Sequence, residues 1–109
     1  MDKLYTCVWF DSQAKEAAEF YVSLFSDATL GQIAYYDTAS AEVSGQPKNS
    51  VLTAIANLPG QQIMTLNGGP IFKPNPSISL FIYCKTVAEL DALYAKLSKD
   101  ATILMELGS

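Results

Sequence analysis

Residues 4–25 read LYTCVWFDSQAKEAAEFYVSLF, and residues 77–97 read SISLFIYCKTVAELDALYAKL. Each stretch opens on an apolar run rich in aromatic and β-branched residues, the composition of a buried strand. Each then passes through a capping residue into an amphipathic helix. In the first, Asp11 and Ser12 offer an N-cap. Ala14, Ala17, Ala18, Tyr21, Leu24 and Phe25 then recur at helical spacing over 13–25. The small alanines predict close packing of this helix on a sheet. In the second, Thr86-Val87-Ala88-Glu89 fits a capping box. Val87, Leu90, Leu93, Tyr94 and Leu97 form its apolar stripe, with Lys96 and Lys99 near the negative end of the helix dipole.

The segments between these two stretches read as strands and turns. Residues 29–36 predict a strand, and 37–49, polar and small with Gly45 and Pro47, predict a mobile loop. Residues 51–57 and 62–67 flank Leu58-Pro59-Gly60-Gln61. Pro-Gly at the centre of a turn favours type II, because Gly60 can take a positive φ, so the pair predicts a hairpin. Asn67-Gly68-Gly69-Pro70 breaks the strand, and 72–76 continue as a non-helical linker. Residues 77–84 and 102–107 predict two more strands. The order is β-α-β-β-β followed by β-α-β, a repeat whose second copy lacks its hairpin.

Composition narrows the chemistry. A chain of 109 residues, half of them hydrophobic, folds as one domain with one core. No apolar run approaches the ~18–20 residues that span a bilayer. No secretory signal is visible at the start, so a cytoplasmic protein without a membrane partner is expected. All seven positive residues are lysines, against 11 acidic residues, for a net charge of -4. The acidic balance argues against nucleic acid. Without histidine there is no imidazole base and no Ser/His or Cys/His pair. Without arginine there is no bidentate clamp for phosphate or carboxylate. Cys7 and Cys84 each sit in an apolar run and are expected to be buried free thiols, with a disulfide or a thiol nucleophile as the alternatives.

Two groups of residues carry a family resemblance. One is Cys7-Val8-Trp9-Phe10-Asp11 with Ala14, Glu16-Ala17-Ala18 and Phe20-Tyr21. The other is Leu66-Asn67-Gly68-Gly69-Pro70 with Phe72-Lys73 and Asn75-Pro76-Ser77-Ile78-Ser79. Together they resemble the PhnB-like branch of the glyoxalase/bleomycin-resistance/extradiol-dioxygenase superfamily, the vicinal oxygen chelate fold. Members often carry the label 3-demethylubiquinone-9 3-methyltransferase. The resemblance covers nearly the whole chain. It implies an α+β fold of paired βαβββ modules whose sheets form a cup. The first module would span 1–70, and the second, 77–109, would be incomplete.

In metal-dependent members, ligands sit on the first, fourth, fifth and eighth strands. The resemblance places Thr6, Asn67 and Ser79 at the first three positions, and the fourth lies beyond Ser109. Neutral hydroxyl and amide oxygens are poor substitutes for imidazole and carboxylate, so neither a metal nor another cofactor is expected. Strand alternation then puts Thr6, Val8 and Phe10, then Ile63, Thr65 and Asn67, and then Ser79, Phe81 and Tyr83 on the cup side. Cys7, Trp9, Met64, Leu66, Leu80 and Ile82 would lie under the helices. The expected ligand-binding residues are Thr6, Val8, Phe10, Asn67, Ser79 and Phe81. Asn67 could equally cap the hairpin exit, and Thr6 and Ser79 could satisfy local hydrogen bonds. Gly68-Gly69 reads as backbone geometry, because no helix follows to hold a phosphate.

The function expected is a metal-independent binding protein for a small apolar or aromatic molecule. One alternative is an enzyme, a methyltransferase as the label says or a lyase or isomerase. Its catalytic residues are unassigned, with Glu106, Cys7, Cys84, Tyr35 and Tyr36 as candidate proton-transfer groups. Another is a fragment or dimerisation module without activity. The incomplete second module would leave unpaired edge groups, which a second chain could cover, so a homodimer is expected.

Overall fold

The computed structural model describes residues 4–72 and 79–98. They fall into two compact units divided between Ile78 and Ser79. The architecture is α+β. The first unit runs β1 (Thr6–Phe10), α1 (Ala14–Ser23), β2 (Thr29–Tyr35), α2 (Thr38–Ser44), β3 (Val51–Leu58) and β4 (Gln61–Asn67), and the second holds α3 (Val87–Leu97). The sheet order is β1-β4-β3-β2. β1 runs parallel to β4, pairing Thr6 with Ile63 and Trp9 with Leu66. β3 is antiparallel to β4 and to β2. This is a βαβββ module with a short extra helix.

The hairpin between β3 and β4 follows its residues. Leu58 pairs with Gln61 across Pro59-Gly60, and Gly60 has φ +82. The segment expected to be a mobile loop instead contains α2. Asp37 accepts from the Ser40 amide (2.8 Å), and the Ser40 hydroxyl accepts from the Asp37 amide (3.0 Å). This is a reciprocal capping box written with Asp and Ser. Gly45 closes the helix at φ +74. Composition pointed to a loop because a seven-residue helix with only Ala41 buried has almost no apolar face to detect.

The core is built from small residues. Ala14 and Ala18 of α1 are fully buried, as are Ala54 and Ala56 of β3 and Ile63 and Thr65 of β4. Alanine facing alanine lets the helix backbone approach the sheet closely. Tyr21, Val22, Ile33 and Leu58 pack around this centre. Burying Ile63 alone contributes about 1.5–3 kcal/mol.

In the second unit, Thr86 caps α3 by accepting from the Glu89 amide (3.1 Å). Glu89 reaches back as expected, but it accepts from the Lys85 amide (3.1 Å), one residue before the cap. Of the stripe on α3, Leu93 is buried while Val87 and Leu90 are exposed. The predicted strand over 77–84 is not borne out in its described part, because 79–84 enter no ladder. Alternation reports only a local preference for extended chain, whereas a strand also needs a partner to hydrogen-bond. The predicted strand over 102–107, Lys99 and Glu106 lie outside the described residues.

Candidate functional site

The two faces of the sheet are fixed by β4. The Thr65 hydroxyl donates to the Ala14 carbonyl (2.7 Å), and the Asn67 amide oxygen accepts from the Ala14 amide (2.8 Å). Ile63, Thr65 and Asn67 therefore face α1, and the parallel register places Thr6, Val8 and Phe10 beside them. The other face carries Cys7 and Trp9 from β1, Met64 and Leu66 from β4, and Thr53 and Ile55 from β3. The expected faces are thus exchanged. The period of two was right and its phase was not. A shift of one residue moves every side chain across the sheet. Both sets are largely apolar, so hydrophobicity could not set the phase. The usable signal was size, because Ala54 and Ala56 match the alanines of α1.

Asn67, at the end of β4, is bonded to α1, to β3 and to Tyr36, the residue after β2. Its amide nitrogen donates to the Val51 carbonyl (3.2 Å), and its own carbonyl accepts from the Tyr36 hydroxyl (2.5 Å). The helix cap expected from Asp11-Ser12 comes from Asn67 instead, 53 residues away in the chain. Gln13 occupies the cap position without a side-chain bond. The hairpin-exit role weighed for Asn67 is closer to this than a ligand contact is. A concavity of about 180 Å³ lies nearby, lined by residues that include Ser12, Lys15, Gln46, Pro47, Val51 and Asn67.

Two of the positions at which the resemblance implies metal ligands, Thr6 and Asn67, are engaged by other groups. Both ends of the Asn67 side chain are engaged. The Thr6 hydroxyl accepts from the Gln61 side chain (3.3 Å). Among the described residues no three His, Cys, Asp or Glu side chains come together. Ser79 and Phe81 are exposed residues of the second unit.

Trp9, on the edge strand β1, lies on the face away from α1. Its indole N–H donates to the Gly69 carbonyl (2.8 Å). Phe72 meets the ring edge-on, with centroids 5.1 Å apart and planes at 87°. The ring lies so close over Gly68 that a Cβ there would come within 2.2 Å of it. The Gly68 and Gly69 amides donate to the Phe10 and Asp11 carbonyls, which extends the β1–β4 ladder past its formal end. Asn-Gly-Gly-Pro is therefore a seat for Trp9, built from backbone. Sequence reasoning placed Trp9 under the helices. The clue it passed over was a pair of adjacent glycines, room that a large ring can fill.

The proton-transfer candidates have specific surroundings. The Tyr36 hydroxyl is buried and bonded to Asn67. Cys7, expected to be buried, is largely exposed, because its strand position faces away from α1. Partial burial of the thiol still pushes its pKa above the ordinary value. A thiol in that state is mostly protonated at neutral pH and is a weak nucleophile. Cys84 is a half-buried free thiol. Tyr35 is exposed.

Comparison with known proteins gives the same outline. The model of the family described as 3-demethylubiquinone-9 3-methyltransferase matches residues 2–108. A solved PhnB protein from Bacillus cereus, described as a 3-demethylubiquinone-9 3-methyltransferase, is 33% identical with a TM-score of 0.82. The match covers 98% of this chain and 81% of that one. A Staphylococcus aureus protein is 30% identical over 97% of this chain and 77% of its own, with a TM-score of 0.46. No curated protein matches.

Proposed function

The chain belongs to the 3-demethylubiquinone-9 3-methyltransferase family, and from that premise we propose that it is a metal-independent small-molecule binding protein of the glyoxalase/bleomycin-resistance type. The ligand lies against the sheet face that carries Cys7, Trp9, Thr53, Ile55, Met64 and Leu66. The observation behind this reading is that these six positions present no charged side chain. Such a surface suits an uncharged organic molecule. The lining differs by one residue from that expected on β1 and β4, because Thr6, Val8, Phe10 and Asn67 face α1.

A thermal-shift screen against uncharged hydrophobic compounds, followed by calorimetry, tests the reading. A ligand at a hundred times its Kd adds about 2.7 kcal/mol of stability. For a chain of this size that raises Tm by on the order of 10 °C. No shift across a broad panel would count against binding.

Methyl transfer remains the second reading, favoured by the family's description. Binding ranks ahead because the Cys7 thiol is held protonated and the Tyr36 hydroxyl is engaged. A measurable rate of methyl transfer by the purified protein would reverse the order. The protein is also proposed to be a homodimer. Among the described residues, β1 and β2 each have one sheet neighbour, and Leu30 and Tyr35 on β2 are exposed. Light scattering that gave a monomer at micromolar concentration would refute this. A cytoplasmic location is proposed from the two free thiols; among the described residues no helix is long and apolar enough to cross a membrane.

A further inference from the structure

We infer that Trp9 is the specificity-determining residue of this face, and that it selects uncharged planar aromatic ligands over saturated or anionic ones of the same size. The inference rests on the binding reading proposed above and adds the class of ligand. Three contacts fix the indole before any ligand arrives. Gly69 takes its N–H (2.8 Å), Gly68 lies against the ring, and Phe72 braces it edge-on. A ring held this way loses little conformational freedom on binding, which is the main cost of recruiting a side chain to a ligand.

The indole N–H is already spent inside the protein. What Trp9 can offer a ligand is its π surface, not a hydrogen bond. Aromatic partners gain about 0.5–1.5 kcal/mol from such contact beyond area burial. The neighbouring side chains point the same way. Cys7 and Met64 are register partners on adjacent strands, on the same face as Trp9. Sulfur packs favourably at aromatic ring edges. Thr53, Ile55 and Leu66 complete the set without adding a charge. An anionic ligand would lose hydration here and find no cation among these residues.

The test uses three probes on one carbon skeleton: 1-naphthol, its saturated counterpart decahydro-1-naphthol, and 1-naphthoate. Calorimetry gives the affinities. The chain has a single tryptophan, so one indole N–H resonance reports the site by NMR without mutation. The expected result is that 1-naphthol binds about three- to tenfold more tightly than decahydro-1-naphthol. The 1-naphthoate ion should bind at least about tenfold more weakly than 1-naphthol, and 1-naphthol should shift the Trp9 indole resonance. Trp9→Leu should remove the preference, bringing the affinities for 1-naphthol and decahydro-1-naphthol to within about twofold of each other, since leucine keeps apolar area but has no π surface. Equal affinity for 1-naphthol and decahydro-1-naphthol overturns the inference and leaves the binding reading standing. So does binding of 1-naphthol without a shift of the indole resonance. If none of the three binds, the binding reading fails and the inference falls with it.

Discussion

Gly68→Ala isolates the contact that seats Trp9. Gly68 is not among the positive-φ residues, so alanine meets no backbone penalty there. The cost is steric alone. The added Cβ would lie 2.2, 2.4 and 2.6 Å from three carbons of the indole. Carbon atoms need about 3.5 Å, so the ring must retreat by roughly 1 Å or more. That movement breaks the N–H bond to the Gly69 carbonyl, now 2.8 Å, and disturbs the edge contact with Phe72. A lost hydrogen bond costs about 1 kcal/mol, and forced overpacking about 1–3 kcal/mol. The expected loss is about 2–4 kcal/mol. Urea denaturation followed by circular dichroism measures it in either background, and the Trp9 emission of the folded Gly68→Ala variant should shift as the ring moves. The same substitution in a Trp9→Leu background should cost under about 1 kcal/mol, a coupling of about 1–3 kcal/mol between the two sites. A loss below about 0.5 kcal/mol in the wild-type background, with unchanged emission, would refute the seat. Equal losses in both backgrounds would show that Gly68 matters for some reason other than Trp9.

Three further outcomes are expected. Asn67→Ala leaves the Ala14 amide and the Val51 carbonyl without their partners and should cost about 2–4 kcal/mol in urea melts; Asn67→Asp keeps the acceptor for Ala14 but turns an oxygen on Val51, so it should recover only part, and an unchanged stability in both would refute the node. The Asp37 carboxyl is held below its ordinary pKa, chiefly by the Ser40 amide and then by its hydroxyl. Its support of α2 is therefore fully present above the unfolded pKa of about 4 and is lost as pH falls through the lower folded value. NMR titration of Asp37 should show the depressed midpoint, and Ser40→Ala, which removes the hydroxyl, should raise it. Cys7 should react with iodoacetamide at pH 8 more slowly than free cysteine does, despite its exposure, with a pH–rate midpoint above about 8.5; a faster reaction would mean an activated thiol and would strengthen the enzymatic reading.

Local signals carried much of the fold. Gly60 in its turn, Thr86 at its cap and the alanine spacing of α1 each act through neighbours within one turn of chain, and each was legible. So were the absence of histidine and arginine and the mechanisms that this removes. The reciprocal box of Asp37 and Ser40 is equally local, but composition hid it, because small polar residues serve loops and short helices alike. Over 79–84, a strand-like sequence has no ladder in the described residues, since sequence pattern supplies no partner.

The sequence by itself determined the family, the order of strands in the first module and the neutral chemistry available to it. Only the tertiary structure decided which face of the sheet meets α1. That choice depends on Thr65 and Asn67 reaching the first residue of a helix more than 50 positions earlier, and on alanines matching across the gap. Neither is a property of any local window. The choice exchanges the roles of two residue sets. Asn67 moves from ligand candidate to helix cap, and Trp9 moves from core filler to the proposed site.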